Sequence, residues 1–105
     1  MRKVADVGIT EALSLRKQGV LFVDVREADE HAMSRIPGSV LIPLSELAAR
    51  YTEIPRDRQV VLYCRSGNRS WNAAAWLQNK GYDKVVNLAG GIIDWARSGL
   101  EIEPR

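Results

Sequence analysis

The sequence predicts an α/β fold built around a parallel sheet, and three observations carry that reading. Short aliphatic runs alternate with segments of helical apolar spacing down the chain. The strongest run, Gln59-Val60-Val61-Leu62-Tyr63, is continuously apolar after its first residue, as a central strand buried on both faces must be. Three helical segments end in a glycine followed by an apolar residue, a combination that stops a helix and turns the chain back. At 105 residues with 46% hydrophobic and 27% charged content, the chain holds one domain over residues 1–105. A chain of this length buries roughly 60 to 70% of the surface its unfolded form exposes, enough for a core without metals or disulfides.

Each element has a local cause. Thr10 can cap a first helix whose apolar face includes Leu13 and Leu15 and which ends at Gly19. Val20 to Val25 then reads as a buried strand, and a short exposed helix is expected around His31. Pro37-Gly38 marks a turn before a short strand at Ser39 to Ile42. Pro43 opens a helix that Ser45 can cap, running to about Tyr51, and Pro55 ends that region. After the Gln59–Tyr63 strand, a helix starts near Ser70, presents Ala73, Trp76 and Leu77, and stops at Gly81. Lys84 to Leu88 is a further strand, Gly90-Gly91 a tight turn, and Ile92 to Ser98 a last helix stopped by Gly99. At the three glycine ends, the pairs Leu15 with Val20, Leu77 with Tyr82 and Trp95 with Leu100 have the spacing of a left-handed C-terminal cap.

Charge excludes some functions. Fifteen Lys and Arg against thirteen Asp and Glu leave +2, and the basic pairs are scattered among acidic neighbours rather than gathered on one face, so no nucleic-acid partner is expected. No apolar run approaches the roughly 20 residues of a membrane helix, and no signal-peptide pattern follows Met1-Arg2-Lys3. A cytoplasmic location is therefore expected, with no membrane partner. The single Cys64 cannot form an internal bridge, and a reducing compartment would keep it either an inert core residue or a reactive thiol. No metal site is expected.

The segment Cys64-Arg65-Ser66-Gly67-Asn68-Arg69-Ser70 lies between the central strand and the alanine-rich helix. Loops at the carboxyl ends of parallel strands bind ligands, because the next helix begins there with unpaired N–H groups and a positive dipole end. Those amides, the dipole and two guanidinium groups would favour a thiolate, which in comparable settings lowers a cysteine pKa from ~8.5 to roughly 3.5–7.5. Gly67 can take the positive φ of a curled loop. Ser66 and Ser70 can donate hydroxyl hydrogen bonds, and Ser70 also suits a helix N-cap. Asn68 can fold back on the loop backbone. Arg65 and Arg69 can each meet two oxygens of an anion.

With Asp24-Val25-Arg26-Glu27 and Ile36-Pro37-Gly38-Ser39 upstream, and Leu88-Ala89-Gly90-Gly91 followed by Trp95 downstream, this loop resembles that of the single-domain rhodanese family of sulfurtransferases. The resemblance runs from the first helix to about Glu103. It implies a rhodanese-like fold, a five-stranded, mainly parallel sheet flanked by helices. It also implies a cysteine that takes sulfur from a donor such as thiosulfate, holds it as a persulfide and passes it on. The acceptor would be a thiol, cyanide or a redox protein, and no cofactor is needed beyond the covalent persulfide. Carried over, Cys64 is the nucleophile and the N–H groups of Arg65 through Ser70 surround the persulfide. Arg69 closes the loop, and Arg65 on the rim meets the sulfonate end of a donor. A monomer is expected, with a homodimer as the alternative.

Many family members carry Gly-His before Ile-Pro-Gly, where this chain has Ser34-Arg35. Its His31 reads as ordinary surface, and Arg35 either adds positive potential near the site or faces water. Asp24 ends a buried strand and must be paired, with Arg26 or the loop amides as candidates, in a supporting role. Trp76 and Trp95 read as core. Trp71 either flanks the mouth of the site or packs on the sheet.

Two other functions compete. A phosphatase or arsenate reductase uses a similar cysteine loop, but the family resemblance associates phosphate with a longer loop than the four residues separating Cys64 from Arg69. A persulfide carrier or redox-sensing module loaded by a protein partner would use the same Cys64.

Overall fold

The computed structural model describes residues 3–104. In chain order the elements are β1 (Ala5–Val7), α1 (Ile9–Lys17), β2 (Leu21–Asp24), α2 (Ala28–Met33), β3 (Val40–Leu41), α3 (Leu47–Arg50), β4 (Val60–Tyr63), α4 (Asn68–Asn79), β5 (Val85–Leu88) and α5 (Gly91–Arg97), with single 3-10 turns on either side of α3. The sheet order is β1-β5-β4-β2-β3 and all four strand pairs are parallel. The expected mainly parallel sheet is therefore wholly parallel, and the isolated antiparallel bridge Arg35–Glu103 lies outside it.

Alternation along the strands builds two core layers. On β4, Val60 and Leu62, followed by Cys64, point with Val23 and Val25 to the layer closed by Ala73, Ala74 and Leu77 of α4. Val61 and Tyr63 point with Phe22 to the opposite layer, closed by Ala12 and Leu15 of α1 and Ile92 and Trp95 of α5. Phe22 and Trp95 meet edge to face at 5.8 Å. Every residue of β4 is fully buried, so this strand is the rigid floor on which the following loop stands.

The three helix C-termini have the expected geometry. Val20, Tyr82 and Leu100 donate their N–H groups back to the carbonyls of Leu15, Leu77 and Trp95, at 3.1, 3.1 and 3.3 Å. Gly19, Gly81 and Gly99 take positive φ between each pair, a conformation costly for any residue with a Cβ.

The helix starts differ from the sequence expectation. α1 begins at Ile9 behind Gly8, so Thr10 lies inside its first turn and caps nothing. The Ser45 hydroxyl reaches Glu27 at 3.0 Å instead of capping the helix after Pro43, and that segment opens as a 3-10 turn. α4 begins two residues before Ser70, behind Gly67 in the left-handed region, and α5 already includes Gly91. Strand β1 has no counterpart in the sequence reading. It is an edge strand whose Ala5 and Asp6 face solvent, and it is fixed by pairing with Val86–Leu88 rather than by its own pattern.

Candidate functional site

Cys64 follows directly on β4, 1% exposed, at the carboxyl edge of the central strand. Its sulfur is ringed by donors: the Gly67 N–H at 3.1 Å, and the Ser70 N–H and Ser70 hydroxyl each at 3.4 Å. Burial alone would push the thiol up. The Ser70 hydroxyl, aided by the amides of Ser70, Gly67 and Ser66, outweighs it and holds the Cys64 pKa below the ordinary thiol value. Ser70 is thus a hydrogen-bond donor to the Cys64 sulfur, fully buried in the first turn of α4, rather than the helix cap the sequence suggested.

The curl of the loop is enforced from outside. The α5 amides of Ile92 and Ile93 donate to the carbonyls of Cys64 and Arg65, at 2.9 and 3.2 Å. Gly91 must be glycine for this approach, because a Cβ there would collide with the Arg65 carbonyl. Gly67 sits at φ +103, and a Cβ on it would collide with the Ala89 carbonyl oxygen. Beneath the loop, buried Asn87 of β5 donates from Nδ2 to the Gly67 carbonyl at 3.1 Å and to Asp6 at 2.9 Å. Asn87 is a supporting residue the sequence reading missed. Its only signal was an amide in the otherwise apolar run Val85 to Leu88.

The two loop arginines part company. Arg69 makes a two-pronged pair with Glu30 of α2, Nη1 to Oε1 at 2.8 Å and Nη2 to Oε2 at 2.9 Å. Arg69 holds the Glu30 carboxyl down at about 2. The guanidinium is engaged with this carboxylate rather than pointing freely into the loop. The main forces lowering the Cys64 pKa are the Ser70 hydroxyl and the loop amides, the latter among the groups the sequence suggested. Arg65 is exposed on the rim and forms no ion pair among the described residues. Ser66 and Asn68 are also exposed, on the outer face of the curl.

Asp24 is fully buried and bound by Arg26 through Nε at 3.0 Å and Nη2 at 2.8 Å, and by the Arg26 N–H at 2.9 Å. Arg26 in turn donates to the Ser34 carbonyl at 2.6 Å. Of the partners considered for Asp24, Arg26 is the one used, through both its side chain and its own backbone N–H. His31 corrects a second reading. Its Nδ1 lies 2.9 Å from Asp24 Oδ2 with the ring largely buried, so it belongs to this network and is not ordinary surface. The carboxylate therefore ties the end of β2 to α2, and α2 reaches the loop through Glu30.

Beside Arg65 lies a cleft of about 580 Å³ between α2 and α5, lined by Arg65, Met33, Ile92, Ile93, Ala96 and Ile102 among others. Trp71 is not part of it. That ring is 40% exposed and borders a separate hollow with Val4, Ala75 and Gln78. Trp76 is half-buried against Tyr51, and Trp95 is core. No cluster of three or more His, Cys, Asp or Glu suited to a metal occurs among the described residues. No helix among them is long and apolar enough to cross a membrane.

A wholly parallel α/β sheet presenting one amide-ringed thiol at its carboxyl edge has the chemical parts for cysteine-dependent group transfer. The chain belongs to the rhodanese-like domain family, whose model matches residues 9–98. A sulfurtransferase of Allochromatium vinosum is 49% identical over 96 residues, covering 89% of this chain and 90% of that protein. A putative sulfur carrier protein of Bacillus subtilis is 40% identical over 73 residues, 70% of this chain and 40% of that one. Among solved structures, a rhodanese-related protein from Thermoplasma volcanium superposes with a TM-score of 0.85 at 28% identity, covering 96% of this chain and 99% of its own.

Proposed function

We propose that the protein is a sulfurtransferase that takes a sulfane sulfur from a donor such as thiosulfate onto Cys64 and delivers it to a thiol, cyanide or redox-protein acceptor. The observation that carries this reading is the set of three donors aimed at one sulfur position, from Gly67 N–H, Ser70 N–H and Ser70 hydroxyl. In the first half-reaction the Cys64 thiolate attacks the outer sulfur of thiosulfate. A new S–S bond forms, the donor's S–S bond breaks, and its electron pair leaves with sulfite, a stable anion that needs no general acid. Arg65 is free to meet the sulfonate oxygens. In the second half the acceptor anion attacks the outer sulfur of the persulfide, and the electron pair of the breaking bond returns to Cys64. The same amides stabilise sulfur-borne charge in both halves, and the two-stage course is ping-pong. No cofactor takes part, and the persulfide is the only intermediate.

Phosphoryl or arsenate chemistry fits less well. The arginine that would clamp a tetrahedral dianion at the cysteine is Arg69, and both its terminal nitrogens are committed to Glu30. A carrier reading is favoured by the likeness to the putative sulfur carrier protein, since a carrier uses the same persulfide. The deciding experiment is intact-protein mass spectrometry of wild type and Cys64→Ser after thiosulfate, followed by cyanide and assay of thiocyanate. Wild type is expected to gain one sulfur and lose it to cyanide, while Cys64→Ser folds and gains none. Slow loading by thiosulfate beside fast loading by a persulfide-bearing protein donor would favour the carrier. Hydrolysis of an aryl phosphate with no sulfur gain would overturn both.

A further inference from the structure

The cleft beside Arg65 offers far more room than thiosulfate or cyanide can fill, being of the size that holds a small organic ligand. One wall is α5, with Ile92, Ile93 and Ala96, and the opposite lip carries Met33 of α2, 79% exposed. The third side is Ile102, which belongs to no helix or strand. It is held in place by a strap formed from the last described residues. The Trp95 indole donates to the Glu101 carbonyl at 2.8 Å. Arg35 and Glu103 exchange backbone hydrogen bonds of 2.7 and 2.9 Å, with their side chains 3.6 Å apart. Arg35, a third exposed, is thus paired with Glu103. It anchors the wall of this cleft.

We propose, on the sulfurtransferase reading above, that this cleft is the acceptor site and that Ile102 and Met33 determine its specificity. The acceptor it fits is a thiol with a carboxylate near the sulfur and an apolar body beyond. Charge complementarity fixes the first half: of the charged side chains lining the cleft, Arg26 is held by Asp24 and Glu30 by Arg69, Asp29 lies on the α2 side, and Arg65, adjoining Cys64 in the chain, has no ion-pair partner among the described residues. The apolar side chains fix the second half. The acceptor's thiolate attacks the outer persulfide sulfur, the Cys64 S–S bond breaks with its electron pair returning to Cys64, and the product is the acceptor persulfide.

Steady-state kinetics with thiosulfate as donor test this, comparing N-acetylcysteine, N-hexanoylcysteine and N-hexanoylcysteinamide as acceptors, with cyanide as the reference. A fully buried methylene is worth roughly fourfold, so four half-buried ones give N-hexanoylcysteine an advantage on the order of tenfold in kcat/KM. The amide, lacking the carboxylate, falls several-fold behind. In Ile102→Ala, and separately in Met33→Glu on the exposed lip, the ratio of hexanoyl to acetyl falls by several-fold, and a ratio is indifferent to any general loss of enzyme. Equal rates for the two acyl lengths, parity of acid and amide, or a ratio unchanged in both variants would overturn the assignment. Failure of wild type to form thiocyanate would instead overturn the sulfurtransferase reading, and this inference with it.

Discussion

At the residue scale the site is a contest between burial and hydrogen bonding over one sulfur, which Ser70 decides. Ser70→Ala removes the largest lowering influence and leaves the buried thiol with amides alone. The Cys64 pKa is then expected to rise. The pH profile of its alkylation by iodoacetamide moves to higher pH. At pH values below the thiol pKa, sulfur loading falls in proportion to the lost thiolate. Arg65→Ala acts on a different step. An exposed rim cation binds the donor before chemistry, so thiosulfate KM is expected to rise about tenfold with little change in kcat. A kcat loss at constant KM would place Arg65 in the chemistry itself. The sequence could name Cys64 and its loop because those residues are contiguous. It could not see the Arg69–Glu30 pair, whose partners lie 39 residues apart, or turn His31 inward toward Asp24.

At the scale of elements, glycine has two separable uses. Gly19 ends α1 at φ +82 with open space where a Cβ would go, so Gly19→Ala is expected to cost only the left-handed penalty of about 1–2 kcal/mol in urea unfolding. Gly67 combines positive φ with a Cβ collision on the Ala89 carbonyl, so Gly67→Ala is expected to cost more, roughly 3 kcal/mol or above, and to remove sulfur loading as the loop opens. Equal costs at the two positions would mean that the loop yields without strain. Helix ends were legible because this device is local: a glycine, an apolar residue after it, and another five positions before. Helix starts were not. Three of them lean on glycine or backbone geometry, and the serine and threonine offered as caps bond elsewhere or not at all. β1 escaped for another reason. An edge strand of three residues with two exposed carries no pattern of its own, and its partner supplies the register.

For the whole molecule, the pair between Glu30 and Arg69 joins α2 to α4 across the mouth of the site, and its pH dependence has a definite sign. Glu30 is held at about 2 in the folded chain against an ordinary value of 4.5, so its contribution is fully present above about pH 4.5 and is lost as pH falls through 2. With Arg69 partly open to solvent, that contribution is on the order of 1 kcal/mol or less. Glu30→Gln is expected to lower the urea midpoint at pH 7, with the gap to wild type narrowing steadily between pH 4.5 and pH 2. A gap at pH 2 as large as that at pH 7 would assign the loss to packing instead. The central sheet was legible at this scale because its strands are buried runs. The C-terminal strap was not, since Leu100 to Glu103 has no period and owes its place to Trp95 and Arg35.

Two of the three donors around Cys64 are main-chain groups, and this divides the loop by what heredity can alter. Ser66 and Asn68 turn their side chains outward, and any residue except proline at either position still supplies the same N–H. Those positions are open to drift, free to be recoloured for a new partner without touching the chemistry beneath. Gly67, Ser70 and Gly91 carry the opposite burden, and a lineage can vary the loop's outer face only so long as these three stand still.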